Sequence, residues 1–196
     1  MIYLNINKQA AEEGFKKENE LAIPLTAANR NYKDDNHKPE MMVALSDFWL
    51  LHGFSPNIEQ QLDAYGFLNG FKGIFQSEGI RGLYQQVMEM PQEAVDQLIA
   101  PQINAIMPFY EAHQLPKSSP DFWAARAVRT FCGDGHFDRG IFSIYLFNIL
   151  NLKPGEGIFQ GAGLPHAYLE GQNIELMSNS DNVLRAGLTP KHVDIP

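Results

Sequence analysis

A long block of helical sequence, residues 55–130, separates two segments that have the character of β-strands. In the stretch PQEAVDQLIAPQINAIMPFYEA the apolar side chains recur at i, i+3, i+4 and i+7, which is the spacing of one helix face. Ser55 and Pro56 signal the start of a helix in SPNIEQQLDAY, whereas Pro101 and Pro108 are expected to kink or divide the longer helix. Any β-structure in this chain must therefore be interrupted by a helical insertion.

Short apolar runs bounded by turn residues fill the two flanking segments. The first segment, residues 1–54, contains MMVAL and FWLLHGF, and the last, residues 131–196, contains GIFSIYLFNILNL, GIFQGAGLPHAYLEG and NIELMSNSDNVLRAGL. Many short strands joined by glycine-containing turns favour a sandwich or a jelly-roll barrel. The sequence therefore predicts a mainly β fold with an α insertion: residues 1–54 and 131–196 form the β-barrel portion, and residues 55–130 form a helical domain.

The charge balance excludes several classes of partner. The chain has 15 Lys and Arg against 23 Asp and Glu, so its net charge of −8 gives no general attraction for nucleic acid or an anionic membrane. It contains no apolar run near the roughly 18 residues that span a bilayer, and no signal-peptide pattern at its start. A single cysteine, Cys132, permits no internal disulfide. We expect a cytoplasmic protein with no nucleic-acid and no membrane partner.

Two residues far apart in the chain are candidates for a metal site. In HKPEM, Glu40 leads a predicted strand, and because strand side chains alternate, Glu40, Met42 and Ala44 share one face. In GAGLPHAYLEG, His166 lies between two glycine-flanked turns. The chain has no HxH and no HExxH, so spacing alone leaves the alternatives open: a solvated charge at a strand end for Glu40, and a hydrogen-bonded core or hairpin residue for His166.

A third candidate region is SDNVLRAGLTPK near the end of the sequence. Asp181 and Arg185 differ by four positions, so they would point the same way on a continuous strand. Arg185 together with Lys191 could hold a phosphate group in an otherwise acidic protein. The alternative is a solvent-facing ion pair that contributes little to stability.

Four stretches together carry a resemblance to a known family: NYKDDNHKPEMMVAL, RGIFSIYLFNILNLKPGEGIF, PHAYLEG and SDNVLRAGLTPK. They resemble, in the same order, motifs of the type I mannose-6-phosphate isomerases and span nearly the whole chain. The resemblance implies a cupin-like (jelly-roll) β-barrel with a helical insertion and a Zn²⁺ cofactor. It also implies an aldose–ketose isomerase that interconverts mannose 6-phosphate and fructose 6-phosphate.

The resemblance assigns roles to particular residues. The family's glutamate zinc ligand lies in HKPE and matches Glu40, and its late histidine ligand lies in PHAYL and matches His166. The family's active-site arginine falls on Arg185. The remaining pocket positions, around the metal and the substrate, fall on Lys38, Tyr168, Glu175, Asp181 and Lys191. The proton-transfer base stays unassigned between Glu175 and Asp181, since a carboxylate must first reach the proton that it moves.

The chain departs from the family's pattern near residue 1. Before NKQAAEEGF the family carries a glutamine–X–histidine pair that supplies two more zinc ligands, and these positions hold Tyr3 and Asn5. With Glu40 and His166 alone we expect weak zinc binding, because affinity depends on several ligands held in one geometry. The chain also lacks the family's N-terminal strands and C-terminal cupin domain. We therefore expect an internal segment of the enzyme, whose open sheet edges and apolar faces favour aggregation.

Two classes of function follow. The first is the zinc-dependent isomerase of a small sugar phosphate, with the family's activity. The second is a catalytically inactive remnant, or a cupin-type binding or interaction module that keeps the middle of the fold. A metal-dependent oxygenase is a distant third, because the HKPE and RAGLTPK stretches are typical of the isomerases. His52 lies outside every matched stretch and is expected to take no part in the site, and the sequence leaves the oligomeric state open.

Overall fold

The computed structural model describes residues 1–4, 6–133, 135–191 and 193, which form two compact units. One unit contains residues 1–53 with residues 149–193, and the other contains residues 54–148. The first carries most of the β-structure and the second carries most of the helices. The chain thus leaves the β-rich unit once and returns to it, as an insertion requires.

The β-structure consists of two antiparallel sheets. The strands are β1 (Tyr3–Leu4), β2 (Glu40–Ala44), β3 (Phe48–Phe54), β4 (Phe147–Leu152), β5 (Gly157–Gln160), β6 (Pro165–Glu170), β7 (Asn173–Met177) and β8 (Leu184–Arg185). The larger sheet has the order β4-β3-β6-β1-β8, and the smaller sheet has the order β5-β2-β7. A helix, α1 (Lys8–Glu20), follows β1 and begins after Asn7, whose side chain accepts a hydrogen bond from the Ala10 amide, as an N-cap residue does.

The core of the β-rich unit lies on the inner faces of these strands. Along β2 the side chains alternate between buried and exposed, with Glu40, Met42 and Ala44 buried, so the predicted shared face is confirmed. Met42 and Ala44 pack with Phe48 and Leu50 of β3 in one apolar cluster. Burial of these side chains provides the main free energy that holds the two sheets together.

The helical unit contains a 3-10 helix (Gly66–Phe71) and five α-helices. These are α2 (Ile58–Ala64), α3 (Lys72–Glu89), α4 (Gln92–Glu111), α5 (Pro120–Phe131) and α6 (Gly140–Leu146). Pro101 and Pro108 were predicted to kink or divide the long helix, and division is wrong, because α4 runs through both. The buried stripe of α4, which includes Ile99 and Ile103, keeps the helix packed through these positions. No helix in the described part of the chain is long and apolar enough to cross a bilayer.

The apolar run GIFSIYLFNILNL was predicted to form a strand, and the first half of that prediction is wrong. The run begins as α6, all seven residues of which are buried, and becomes strand β4 only from Phe147. A continuous apolar run has no periodicity that separates a buried helix from a buried strand. Hydrogen bonds from Tyr145 to Asp121, 2.9 Å, and between Ser143 and Tyr84, 2.8 Å, then hold α6 among the helices.

The described residues therefore form a mixed fold of six α-helices and two antiparallel sheets. The cupin jelly-roll barrel is a finer statement that stays a prediction, as does the division of the chain at residues 54 and 130. In the structure the helical unit continues to residue 148, because α6 packs against α5 and α2.

A buried ion pair fixes the segment between α1 and β2. Arg30 Nε lies 2.9 Å from Glu18 Oε2, and the side chain of Arg30 is fully buried. Arg30 also donates to the carbonyl oxygens of Tyr32 and Ile23, at 2.6 and 2.7 Å, while Glu18 accepts from the Asn31 amide at 3.1 Å. Each charge is thus both paired and hydrogen-bonded, which is the condition under which a buried charge is tolerated.

We expect Arg30→Ala to lower the free energy of unfolding by about 3–5 kcal/mol, because it leaves the buried Glu18 carboxylate without its partner. Urea denaturation followed by circular dichroism measures the change. The control is Lys153→Ala, which breaks an ion pair with Asp47 whose two side chains are 61% and 64% exposed. That control should lower the free energy of unfolding by no more than about 1 kcal/mol. Equal losses in the two variants would show that the buried Arg30–Glu18 pair stabilises the fold no more than an exposed pair does.

Candidate active site

Glu40 and His166, which lie 126 positions apart in the sequence, meet in the interior of the β-rich unit. Glu40 is the first residue of β2 in the smaller sheet, and His166 lies on β6 in the larger sheet. Glu40 Oε2 is 3.3 Å from His166 Nε2, and the two residues are only 7% and 1% exposed. The solvated strand-end alternative for Glu40 is therefore wrong, and the two sheets bring together the two residues predicted as metal ligands.

The second ring nitrogen of His166 fixes the orientation of the imidazole. Nδ1 lies 3.3 Å from the carbonyl oxygen of Leu164, to which it donates when it carries the proton. In that tautomer Nε2 presents a lone pair towards the Glu40 carboxylate, so a proton or a metal cation is needed between the two atoms. A backbone acceptor at Nδ1 is also the usual arrangement of a histidine that binds metal through Nε2.

Lys38 supplies a positive charge on the other side of the carboxylate. Its Nζ is 3.3 Å from Glu40 Oε1, and its side chain is only 16% exposed. Burial alone would raise the pKa of Glu40, but the hydrogen bond from His166 and the charge of Lys38 outweigh burial and lower it. Glu40 is therefore an anion at neutral pH, which is the state that a cation or a hydrogen-bond donor requires.

Two residues that sequence reasoning missed lie beside this pair. Gln160 on β5 is the cross-strand neighbour of Glu40, and its side chain is fully buried. His52 on β3 is in register with His166 and therefore lies beside the site, although its expected lack of a role there stays a prediction. Burial and the nearby His166 lower the pKa of His52, which keeps it neutral. His52 and Leu50 are two positions apart on β3 and therefore share a strand face, and this spacing was the available sequence signal.

Tyr168 and Glu175 extend the cluster. The Tyr168 hydroxyl donates to Glu175 Oε1 at 2.5 Å, and the Tyr168 ring packs edge-on against Phe48 with centroids 5.2 Å apart. Its ring centroid is 5.8 Å from that of His166. Burial, and then the Glu175 carboxylate, raises the pKa of Tyr168, so the hydroxyl keeps its proton and acts as a donor. Of the predicted pocket residues, Lys38, Tyr168 and Glu175 thus lie around the Glu40–His166 pair.

Arg185 lies farther along the same sheet. In the register of the strands, residue 3 on β1 is opposite His166 on one side and opposite Arg185 on the other. Arg185 is half-buried, and its Nε has no hydrogen-bond partner among the described residues. A guanidinium nitrogen in that state is suited to an anionic ligand, since Arg binds phosphate and carboxylate oxygens through several N–H groups.

The structure does not bring Asp181 and Lys191 into this cluster. Strand β8 contains only Leu184–Arg185, so the shared strand face expected for Asp181 and Arg185 does not form. The Asp181 side chain is exposed, and its amide donates to Asp34 at 3.2 Å. Lys191 is exposed in a turn, where its amide donates to Thr189 at 3.1 Å. Turn residues after Ser178 end the strand pairing before Asp181 can be aligned.

Asn182 connects the two loops that carry the site residues, and sequence reasoning also missed it. The residue is 1% exposed. Its Oδ1 accepts from the Lys33 amide at 2.7 Å, and its Nδ2 donates to the carbonyl oxygens of Asp34 and Asn36 at 2.8 and 2.9 Å. The side chain thereby ties the loop before β8 to the loop that precedes Lys38.

The donors present do not complete a zinc site. Among the residues that the structure describes, no three His, Cys, Asp or Glu side chains converge closely enough to hold a metal ion. Glu40 and His166 are donors of the kind that zinc takes, but catalytic zinc has three protein ligands. Residue 3 is in register with His166, where the resemblance expects glutamine, and Asn5, at the expected histidine position, lies outside the described residues. The described residues thus supply Glu40 and His166, two of the four ligand positions that the resemblance implies.

Comparison with known proteins gives concordant matches. The model of the phosphomannose isomerase type I catalytic domain matches residues 6–57. The whole chain is 36% identical to mannose-6-phosphate isomerase of Salmonella typhimurium and 37% identical to that of Escherichia coli, and it covers 49% of each. The human mannose-6-phosphate isomerase is 32% identical over 86% of the chain and is covered to 43%. The chain therefore spans about half the length of the curated relatives it matches.

Solved structures match over the same extent. The Salmonella typhimurium mannose 6-phosphate isomerase bound to zinc and its substrate fructose 6-phosphate has a TM-score of 0.81 and 37% identity. That match covers 100% of this chain and 49% of the other. A zinc-bound form of mannose 6-phosphate isomerase matches with the same score and identity, and is covered to 48%. Sequence and backbone thus point to the same group of proteins.

We expect Lys38→Met to raise the pKa of Glu40, because the variant keeps the burial but loses the ammonium charge. The ¹³C NMR titration of the Glu40 carboxyl measures this pKa. Since the folded-state pKa lies below the ordinary value of 4.5, the ionised carboxylate stabilises the fold above that pH, and the contribution is lost as pH falls through the lowered pKa. The variant should lose it at a higher pH.

Lys16→Met is the control for this titration, because Lys16 pairs at 3.9 Å with Glu20 on the exposed side of α1. It should leave the Glu40 titration where it is in the parent. An unchanged Glu40 pKa in the Lys38 variant would show that the 3.3 Å contact has no electrostatic consequence.

Proposed function

Because the chain belongs to the type I phosphomannose isomerase family, we propose that its buried polar cluster is the core of an aldose–ketose isomerase site. The substrates proposed are mannose 6-phosphate and fructose 6-phosphate, and the proposed cofactor is Zn²⁺. The observation that carries the proposal is the contact between Glu40 and His166, at 3.3 Å and shielded from solvent. These are the two positions at which the resemblance expects zinc ligands, and they converge from different sheets.

The reaction requires groups that move protons between neighbouring carbons and oxygens. A base removes the proton from C2 of the aldose while O1 gains a proton, which gives an enediol; O2 then loses its proton and C1 gains one, which gives the ketose. Among the candidate bases, Glu175 is half-buried and already hydrogen-bonded to Tyr168, whereas the Asp181 side chain is exposed. We therefore favour Glu175 for this step, with the Tyr168 hydroxyl as its proton-carrying neighbour.

The negative charge of the substrate needs a local positive environment, since the chain has a net charge of −8. Arg185 provides a half-buried guanidinium, and Lys38 provides an ammonium beside Glu40. We propose that Arg185 offsets the charge of the phosphate or of the enediolate. Lys191 is exposed, which favours a contact at the outer end of the substrate over one at the reacting carbons.

Zinc, when bound, would supply a Lewis acid that orients the sugar oxygens and offsets developing negative charge. Glu40 and His166 would hold it. Because the described residues offer two such donors and not three, we propose that this chain by itself binds zinc weakly. The same fact supports the second candidate function, a catalytically inactive remnant or a cupin-type binding module that keeps the fold and part of the pocket.

The two sheets, facing each other through Met42 and Phe48, support a cupin-type jelly-roll barrel interrupted by a helical domain. A soluble sugar phosphate as substrate and a single cysteine support a cytoplasmic location.

The two candidate functions differ in the outcome of restoring the family's ligands. We expect the purified parent chain to contain less than one zinc per chain and to show no isomerase activity above a boiled sample. The double variant Tyr3→Gln with Asn5→His is expected to raise the zinc content towards one per chain, because it completes a four-ligand set with Glu40 and His166. Metal analysis after dialysis measures the zinc.

Exchange of solvent deuterium into fructose 6-phosphate, followed by NMR, then tests the chemistry in the zinc-loaded double variant. Exchange above a boiled sample supports the isomerase, and its absence in a zinc-loaded protein supports the inactive alternative. Adding His166→Ala should remove the zinc, whereas His113→Ala, which removes an exposed histidine, should not. Adding Arg185→Ala should keep the zinc and lower the exchange rate by roughly 30- to 1000-fold. Full turnover by the parent would contradict the proposed role of residues 3 and 5.

A further inference from the structure

Two loops of the β-rich unit lead to the two cations of the proposed site. The first loop, residues 31–39, contains Lys38 and continues into β2. The second loop, residues 178–183, continues into β8, which contains Arg185. Neither loop has helical or strand structure, so contacts between side chains and backbone must fix the loops relative to each other.

The carboxylate of Asp34 in the first loop accepts most of these contacts. Its Oδ1 accepts from the Ser180 hydroxyl at 2.9 Å and from Asn182 Nδ2 at 3.2 Å, and its Oδ2 accepts from the Asp181 amide at 3.2 Å. Within its own loop it accepts from the Asn36 amide at 2.8 Å. Burial alone would raise the pKa of Asp34, but the hydrogen bonds outweigh burial and lower it, so Asp34 is an anion at neutral pH.

The second loop also holds the backbone on both sides of Lys38. The Ser178 hydroxyl donates to the carbonyl oxygen of His37 at 2.7 Å, and the Ser178 amide donates to that of Pro39 at 3.3 Å. The Lys38 amide itself donates to the carbonyl oxygen of Ile6 at 3.2 Å. The position of Lys38 therefore depends on where the second loop lies.

We propose that Asp34 is a positioning residue, which with Asn182 holds the two loops together and so directs Lys38 and Arg185 towards the same sugar phosphate. The inference rests on the proposed function, which assigns both cations to that ligand. A charge-assisted hydrogen bond to a phosphate depends on the direction of the N–H groups as well as on their charge. Releasing the loops therefore weakens binding, although both cations are still present.

Titration of the full chain with mannose 6-phosphate, followed by NMR, measures the consequence for the ligand. Asp34→Asn keeps the shape of the side chain but replaces one accepting oxygen by an amide nitrogen that only donates. We expect the dissociation constant to rise about tenfold, the scale of one misaligned charge-assisted hydrogen bond. Asp35→Asn is the matched control, because the Asp35 side chain is 60% exposed and pairs with Lys8 at 3.9 Å, and it should leave the constant unchanged.

A double-mutant cycle separates positioning from a contribution to stability alone. Arg185→Ala should weaken binding by a smaller factor in the Asp34→Asn background than in the parent, because the guanidinium is already displaced there. A residue that only stabilises the fold would leave the affinity of the folded chain unchanged and give equal factors in the two backgrounds. Either of these two results overturns the proposal.

Amide hydrogen exchange tests the loop pair without a ligand. In Asp34→Asn we expect faster exchange of the Lys38 and Ala186 amides, both of which donate to carbonyl oxygens near β1 at 3.2 Å. The Ala44 amide, at the end of β2, should keep its rate, because it lies outside the two loops. Unchanged exchange at Lys38 or Ala186, or equal acceleration at Ala44, overturns the proposal.

Circular dichroism establishes that the variants are folded. If Asp34→Asn does not fold, Ser180→Ala replaces it, since that change removes one of the donors to Asp34. A parent chain that binds no mannose 6-phosphate contradicts the proposed function, and the exchange rates still decide whether Asp34 holds the two loops together.

Discussion

The contact between Glu40 and His166 joins the two sheets at a point where solvent is excluded. Burying a carboxylate costs several kcal/mol unless it is paired, and here a lysine ammonium and an imidazole surround it. The sheets must therefore meet in a register that brings His166 to Glu40. Met42 and Phe48, which pack just beyond the pair, supply the apolar contact that holds this register.

Further polar side chains lie next to that contact in both sheets. Gln160 is the cross-strand neighbour of Glu40 in one sheet, and His52 is the cross-strand neighbour of His166 in the other. Tyr168 lies two positions along β6 and reaches Glu175 on β7. The arrangement is a buried polar cluster supported by an apolar core, and under the proposed function its donors, acceptors and charges serve a sugar phosphate. Its incomplete part is the metal centre.

Local signals predicted the elements that short-range chemistry decides. The alternation of Glu40, Met42 and Ala44 followed from the sequence. The predicted start of α2 at Ser55 and Pro56 was less accurate. The helix begins at Ile58, after a turn in which the Ser55 hydroxyl accepts a hydrogen bond from the Asn57 amide.

The first half of the run Gly140–Leu152 could not be predicted, because complete burial removes the periodicity that separates helix from strand. The pocket was only partly predictable for a different reason. Glu40 and His166 were found through their resemblance to family motifs, whereas Gln160, His52 and Asn182 are in the site through strand register and loop contacts. The shared strand face predicted for Asp181 and Arg185 does not form, because strand β8 is two residues long.

The central claim is that Glu40 and His166 bind the same metal ion. The most direct test is an anomalous difference map, measured at the zinc absorption edge, from crystals of the chain soaked in millimolar Zn²⁺, so that even a weak site is filled. The account predicts one peak between β2 and β6, about 2.0–2.2 Å from a Glu40 carboxylate oxygen and from His166 Nε2. A peak at other residues, with the direct 3.3 Å contact between Glu40 and His166 still in place, would contradict it.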